Sequence, residues 1–548
     1  MNTGRRLTSA ARVVATALLL APLLALFPSA GRPGPRDPAD SALVRAQTRP
    51  LYLPLAARAA RWPLPAATLP TVTTTASPER PTPSATRTRE PSPAASATAS
   101  ATPSPGGTDS PKPSPAAGRA WPDSRRGILV FNDQLPGLGN LSEAQIRFAV
   151  SHYVGTQKLT RPDADRLRAL NPGFLILHYR LGMGLGYRIA EGDCQPTGDY
   201  LQIVDGARWV REWPPEDLVK PGWFFPYGGQ ERVFFCPNGW YLMNLDDPGY
   251  RDWWMGEVLR QLADNDDDGL FADSLSVPNF FGGGIWRPRL PDVDAAFEAD
   301  WARRIEEGLT ALKARMGQRY ALLPNAGNWV NSRDPVRYAE ADGVMVEGFA
   351  SWGPGRLYDP ADWRLQMNRI LTLTRQGRIL IAQSYPDAAD VEHRMFTVAS
   401  YLLVKGRRSY INQEYSMAPE WWPEYELPVG AYLAEPPATV DQLLDPALGV
   451  YRRDYEGAMV LVNPGPSTRQ VKLDAPRWHL KPTGGGLVPA DGRTPGYLTG
   501  AVVRELTLAP GQGAVLTAPP TPVPLLVSGR IGHSTVKRYR TLSHQATP

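Results

Sequence analysis

At 548 residues, 42% hydrophobic and 21% charged, the chain is long enough for two folded units and ordinary enough to bury real cores. Its net charge of +5 comes largely from arginine-rich ends, and the middle mixes both signs, so no nucleic-acid partner is predicted. Six histidines, none at ligand spacing, and two cysteines argue against a zinc centre; no metal and no cofactor is predicted.

Residues 1–30 read as a signal peptide. Arg5, Arg6 and Arg12 make a basic start, 13–27 an apolar run, and Pro28, Ser29 and Ala30 a small-residue exit. A retained membrane anchor is the alternative; once the signal is removed, no transmembrane segment is expected. A secreted, extracellular protein is thus predicted. Residues 31–120 are rich in Pro, Ala, Ser, Thr and Arg and cannot bury enough apolar surface to fold. They form a predicted disordered linker, through which the body would associate with a cell wall or surface.

From residue 121 short β-branched runs alternate with helical stretches. Strands are predicted at 127–131 (GILVF), 148–153, 174–178 (FLILH), 270–273, 320–325, 344–347, 379–383 and 409–412. Helices are predicted at 250–263, 293–316, 361–375 and 388–404. Eight such units over 121–427 predict an α/β fold, a (β/α)8 TIM barrel. A doubly wound open sheet is the rival, but NDQLPGLGN after the first strand is a poor phosphate turn. An insertion at 180–244, aromatic and holding both cysteines, should roof the site. Export favours a Cys194–Cys236 disulfide; the alternative is two unrelated buried thiols. Short alternating runs over 428–519 predict a small all-β sandwich, and 520–548 a disordered basic tail.

Two motifs repeat one theme: Asp-Gly, three apolar residues, then a carboxylate. Asp268-Gly-Leu-Phe-Ala-Asp273 and Asp342-Gly-Val-Met-Val-Glu347 each end a strand on an acid, where a barrel keeps its reacting groups. Cleavage of a glycosidic bond needs two such carboxyl groups, one protonated and one ionised. Asp264, Asp266 and Asp268 also mimic the opening of a calcium loop, but Leu275 stands where its last ligand belongs, so a solvated turn is preferred.

The segments FLILHYR, WYLMNLDDPGYRDWW, DGLFADS, LLPNAGNW, DGVMVEGF and ILIAQSY make residues 127–414 resemble the hypothetical glycosyl hydrolase family 15. A more distant likeness is to α-galactosidase-type barrels. That likeness implies Asp273 as nucleophile on strand four and Glu347 as general acid/base on strand six. Those relatives carry Asp at the second position, and this chain departs from them with Glu.

Further polar residues follow the strands and are candidate sugar contacts: Asp133, His178, Tyr179, Arg180, Asn325, Gln383, Tyr385, Asn412 and Glu414, the last a reserve carboxylate. Trp286, Trp329 and Trp352 lie in strand-exit loops and are candidate platforms for sugar rings. The sequence therefore predicts a secreted glycoside hydrolase with a carbohydrate substrate, cleaving an extracellular polysaccharide or oligosaccharide by a retaining two-carboxylate mechanism. The alternative is a non-catalytic carbohydrate-binding or cell-wall-associated protein on the same scaffold.

Overall fold

A computed structural model of the protein describes residues 118–185, 219–236 and 240–520, and the backbone of 201–205, 208–211, 524–531 and 534–541. The signal and most of the linker expected before residue 120, and Cys194, lie outside the described residues.

The body is built in chain order from β1 (Val130–Gln134), α1 (Glu143–His152), β2 (Tyr153–Gln157), α2 (Arg161–Leu170), β3 (Leu175–Leu181), α3 (Pro248–Asn265) and β4 (Gly269–Asp273). There follow α4 (Ala295–Met316), β5 (Ala321–Pro324), β6 (Gly343–Glu347), α5 (Pro360–Thr374), β7 (Ile379–Ser384), α6 (Val391–Val404) and β8 (Ser409–Gln413). The strands pair in parallel in the order β5-β4-β3-β2-β1-β8-β7-β6. A further parallel bridge, Asn325 to Met345, joins β5 to β6 and closes the barrel. The connection between β5 and β6 is a loop rather than a helix.

Side-chain alternation sorts the strands into two layers. Phe131, Leu175, Leu177, Tyr179, Phe271, Leu323, Met345, Ile381 and Tyr410 pack together inside the barrel. Their neighbours in sequence, such as Val130, Ile176, Leu270, Leu322, Val344 and Leu380, pack outward among the helices. Gly155 takes an inward place because a Cβ there would lie 2.8 Å from the Phe131 ring and 2.5 Å from the Leu175 carbonyl.

The repeated Asp-Gly pairs explain themselves at the other end of the barrel. Asp268 Oδ2 accepts the Ile176 N–H at the start of β3, and Asp342 Oδ2 accepts the Leu322 N–H at the start of β5. The glycines follow because the next strand passes too close: a Cβ on Gly269 would sit 2.3 Å from the Ala321 carbonyl oxygen, and one on Gly343 2.0 Å from that of Ile379. Each motif thus binds strands together at its start and delivers an acid at its end. Asp266 and Asp268, part of the calcium-like run, are paired with Arg119 and Arg168.

Residues 148–152, expected in the second strand, instead finish α1, and β2 begins at Tyr153. A complete capping box, Ser142 with Gln145, starts this helix. The run FAVSHY is too short for its period to distinguish strand from helix.

The insertion after β3 and the loop after β4 form one unit. Their strands Trp286–Arg287, Val233–Phe235, Trp240–Leu242 and Gly184–Leu185 make a single antiparallel sheet. Cys236 within it is disulfide-bonded.

The all-β region contains β9 (Val450–Asp454), β10 (Ala458–Asn463), β11 (Arg469–Thr483), β12 (Tyr497–Leu508) and β13 (Gln512–Thr517). With Leu444–Asp445 at one edge they form one six-stranded antiparallel sheet, ordered β9-β10-β13-β11-β12. Alternate residues serve two cores. Val450, Met459, Leu461 and Leu516 pack with Val471, Leu506 and Leu508, whereas Val460, Val462 and Val515 join the core shared with the barrel helices. Strand β13 lies directly on α6, since a Cβ on Gly513 would be 2.5 Å from Ala399 Cβ. Arg453 of β9 donates to the carbonyls of Leu402, Leu403 and Lys405, satisfying the open end of α6. In the tail, expected to be disordered, the backbone forms an antiparallel pair, Pro524–Ile531 with Ser534–Thr541; its apolar and β-branched residues were the missed signal.

Candidate active site

The inward positions continue past the apolar layer as a polar one. Two residues beyond Phe131, Gly155, Leu177, Phe271, Leu323, Met345, Ile381 and Tyr410 come Asp133, Gln157, Tyr179, Asp273, Asn325, Glu347, Gln383 and Asn412, one from each of the eight strands or its exit. A period of two makes this layer face the barrel mouth at the strands' carboxyl ends.

Asp273 and Glu347 meet there through Asn325. Its Nδ2 donates to Asp273 Oδ1 at 2.9 Å and to Glu347 Oε2 at 2.7 Å. The two N–H directions of one amide then put these oxygens about 5 Å apart, and at most ~5.6 Å in any geometry. Asp273 also accepts from Tyr179 Oη at 2.7 Å and from the Ser274 N–H at 2.7 Å. Ser274 holds φ at 52°, which turns the chain sharply after the acid and aims that N–H back at it. Asp273 is buried.

Glu347 is partly buried and accepts from Tyr385 Oη at 2.8 Å as well as from Asn325. Burial raises its carboxyl pKa above the ordinary range; the neighbouring charge of Asp273 adds to this, and the two hydrogen bonds oppose it. The loop after β6 is fixed from behind: Gln366 of α5 accepts the Ala350 N–H and donates to the carbonyls of Asn328 and Gly348. Tyr358 donates to the Gly348 carbonyl at 2.6 Å.

On the opposite wall, Asp133 accepts from Gln157 and from Lys158 Nζ, the latter an ion pair at 3.0 Å with both side chains buried. Lys158 adopts φ 64° just after β2 and lies over the Tyr179 ring, 5.0 Å from its centroid. Gln383 donates to Glu414 Oε2 at 2.6 Å, and both are buried, as is Asn412. Sequence reasoning missed Gln157 and Lys158. Asp133 was found as a polar residue at a strand end, and Gln157, the last residue of β2, would have been found the same way had that strand been placed correctly.

Other predicted contacts turn elsewhere. His178 lies on the outward face of β3, with Nε2 2.8 Å from Gln261 Oε1 of α3 and Nδ1 3.3 Å from Asp267. Arg180, two residues on, also faces out, donating to Gln261 at 2.6 Å and lying over Trp253. Trp286 is wholly buried against Phe235 and Trp240, and its Nε1 donates to the Pro278 carbonyl. Trp329 is covered by Tyr338 and Arg369. Trp352, 36% exposed and packed edge-on against Tyr358, is the predicted platform that keeps an open face.

The model of the hypothetical glycosyl hydrolase family 15 matches residues 168–459, more than half of the chain and the whole run from β3 to β8. The chain belongs to this family. That membership makes it a glycoside hydrolase by family, with both bridged carboxyl groups inside the matched span. No curated protein matches the sequence. Among solved structures, a noncanonic maltogenic α-amylase from Thermotoga neapolitana is similar at 10% identity and TM-score 0.36, over 71% of this chain and 98% of its own. An α-amylase from Geobacillus thermoleovorans is similar at 10% identity and TM-score 0.30, over 74% of this chain and all of its own. Overlaps this weak add nothing to what the strand order shows.

Proposed function

We propose that this family member hydrolyses glycosidic bonds with retention of anomeric configuration, Asp273 acting as nucleophile and Glu347 as acid/base. One observation carries the reading: a single amide, that of Asn325, holds both carboxyl groups, which sets them at the separation of about 5–5.5 Å that goes with a covalent intermediate. An inverting site needs about 6.5–9.5 Å to admit water between the groups.

In the first step Glu347 gives its proton to the glycosidic oxygen while an Asp273 oxygen bonds to the anomeric carbon and the leaving group departs as an alcohol. Burial and the charge of Asp273 raise the Glu347 pKa, so it keeps that proton to higher pH than an ordinary carboxyl group does. In the second step Glu347, now ionised, takes a proton from water as the water oxygen displaces Asp273. Tyr179, Asn325 and the Ser274 N–H orient the Asp273 carboxylate throughout. The substrate we assign is an extracellular polysaccharide or oligosaccharide, because the first 30 residues read as an export signal. No helix among the described residues is long and apolar enough to cross a membrane.

The test is a pair of isosteric variants assayed on aryl glycosides and on a natural oligosaccharide. Asp273→Asn should lose at least about 10³-fold in kcat on every substrate. Glu347→Gln should lose a similar factor on the oligosaccharide but far less on a glycoside with an acidic phenol leaving group, which departs without protonation. Near-normal turnover by Asp273→Asn would overturn the assignment.

A further inference from the structure

The polar layer is unevenly closed. On the β1, β2, β7 and β8 side, Asp133, Gln157, Lys158, Gln383, Asn412 and Glu414 are each no more than 4% exposed. On the β6 side, Glu347 is only partly buried and Trp352 lies open. Three buried polar atoms on the closed side, Gln157 Oε1, Gln383 Oε1 and Asn412 Nδ2, have no protein partner, and their side chains share the inward register of the mouth. Buried amide groups without partners are costly unless something polar meets them. The Asp133–Lys158 pair stands beside them, offering acceptor and donor together.

We propose that this closed wall binds the far edge of a terminal, neutral sugar unit, making the enzyme exo-acting. The proposal deepens the hydrolytic reading above and rests on it. Strands β8, β1 and β2 stand across the barrel from β4 and β6, so a ring with its anomeric carbon at Asp273 turns its remote hydroxyls toward Asp133 and Lys158. A neighbouring hydroxyl pair matches them, one donating to the carboxylate and one accepting from the ammonium. A chain continuing beyond that edge would meet buried protein, whereas the leaving portion exits past Trp352, whose open face can stack on it. Charge selects a neutral unit. Among the described residues of the mouth, Asp133, Asp273, Glu347 and Glu414 face one lysine, and Arg180, which could have held a sugar carboxylate, turns out to α3. The family match begins at residue 168, so this wall's Asp133, Gln157 and Lys158 lie outside it.

The experiment uses the full chain and a panel of neutral pentasaccharides, α- and β-linked glucans, galactans and mannans, fluorescently tagged at the reducing end. A matched set carries a 4,6-acetal cap on the non-reducing unit. The proposal expects the tag to appear first on the tetrasaccharide, with capped chains cut at least about 100-fold more slowly. It also expects the double variant Asp133→Asn/Lys158→Met, which leaves no lone buried charge, to lose at least about 100-fold in kcat/KM on uncapped chains. Capped and uncapped chains cut at similar rates, or early products of all lengths, would overturn it. If no chain is cut, the hydrolytic reading fails, and the wall is judged by saturation-transfer NMR with glucose, galactose and mannose. A signal lost in the double variant upholds the sugar site; no signal with any of them overturns it.

Discussion

Asn325 is the residue on which the site turns, because its one amide nitrogen touches both acids. Its donation favours the ionised form of Glu347, as does that of Tyr385. Removing either donor should therefore push the Glu347 pKa further up. Tyr385→Phe is predicted to move the alkaline limb of the kcat/KM profile to higher pH, while Asp273→Asn, which removes a like charge, should bring the Glu347 titration down. A pH–rate profile of the first and a carboxyl-observed NMR titration of the second check the two signs; a downward shift in Tyr385→Phe would contradict the assignment. At this scale the sequence showed which acids end strands, but not which way every side chain points. His178 and Arg180 sit one residue either side of Tyr179, and only alternation from the apolar Leu175 and Leu177 tells the inward residue from the outward two. Three tryptophans looked alike in sequence; their burial separates Trp352 from Trp286 and Trp329.

At the scale of the strand, the Asp-Gly pairs are structural where their terminal acids are chemical. Gly343→Ala places a methyl 2.0 Å from the Ile379 carbonyl oxygen and 2.5 Å from its Cβ, both parts of a packed strand. The cost should be about 2–3 kcal/mol, seen as a lower denaturant midpoint. Gly256→Ala is the opposite case. It lies on the exposed face of α3 with open space around its Cβ, and should stabilise by about 0.5–1 kcal/mol. Equal effects of the two changes would mean that strand approach does not explain the motif. Strands β3 to β7 were legible because each holds a continuous apolar run bounded by Gly, Asp or Arg. Strand β2 was not, since YVGTQ has two β-branched residues and a glycine whose place is set by Phe131 and Leu175, far off in sequence.

Across the whole molecule, the joint between barrel and β-sheet region is apolar along α6 and becomes polar at the end of that helix. Lys405 there donates to the Gly127 carbonyl, and Arg453 crosses from β9 to the carbonyls beside it. Burial, with the charge of Arg453, pushes the Lys405 ammonium down to about 7, against weaker help from Asp123. Between pH 7 and about 10.4 the unfolded chain then holds a proton that the folded chain has released, so this residue makes stability rise with pH over that window. Lys405→Met should remove that slope: wild type gains on the variant in urea midpoint from pH 7 to pH 9. A constant difference between them would contradict the lowered value. The sequence announced the β-rich region by its short alternating runs, yet nothing local marked Arg453 as the cap of a helix some fifty residues earlier. Such a contact exists only once both elements fold.

The central claim is that Asp273 becomes covalently bonded to sugar during turnover. Incubation with 2-deoxy-2-fluoro glycosyl fluorides of glucose, galactose and mannose should slow the second step enough to trap the ester. Peptide mass spectrometry should then find one fluorosugar on the fragment containing Asp273, and none in Asp273→Asn. A label on Glu347, Glu414 or Asp133 instead, or anomeric inversion of product with no labelled peptide from any of the three, would contradict the account.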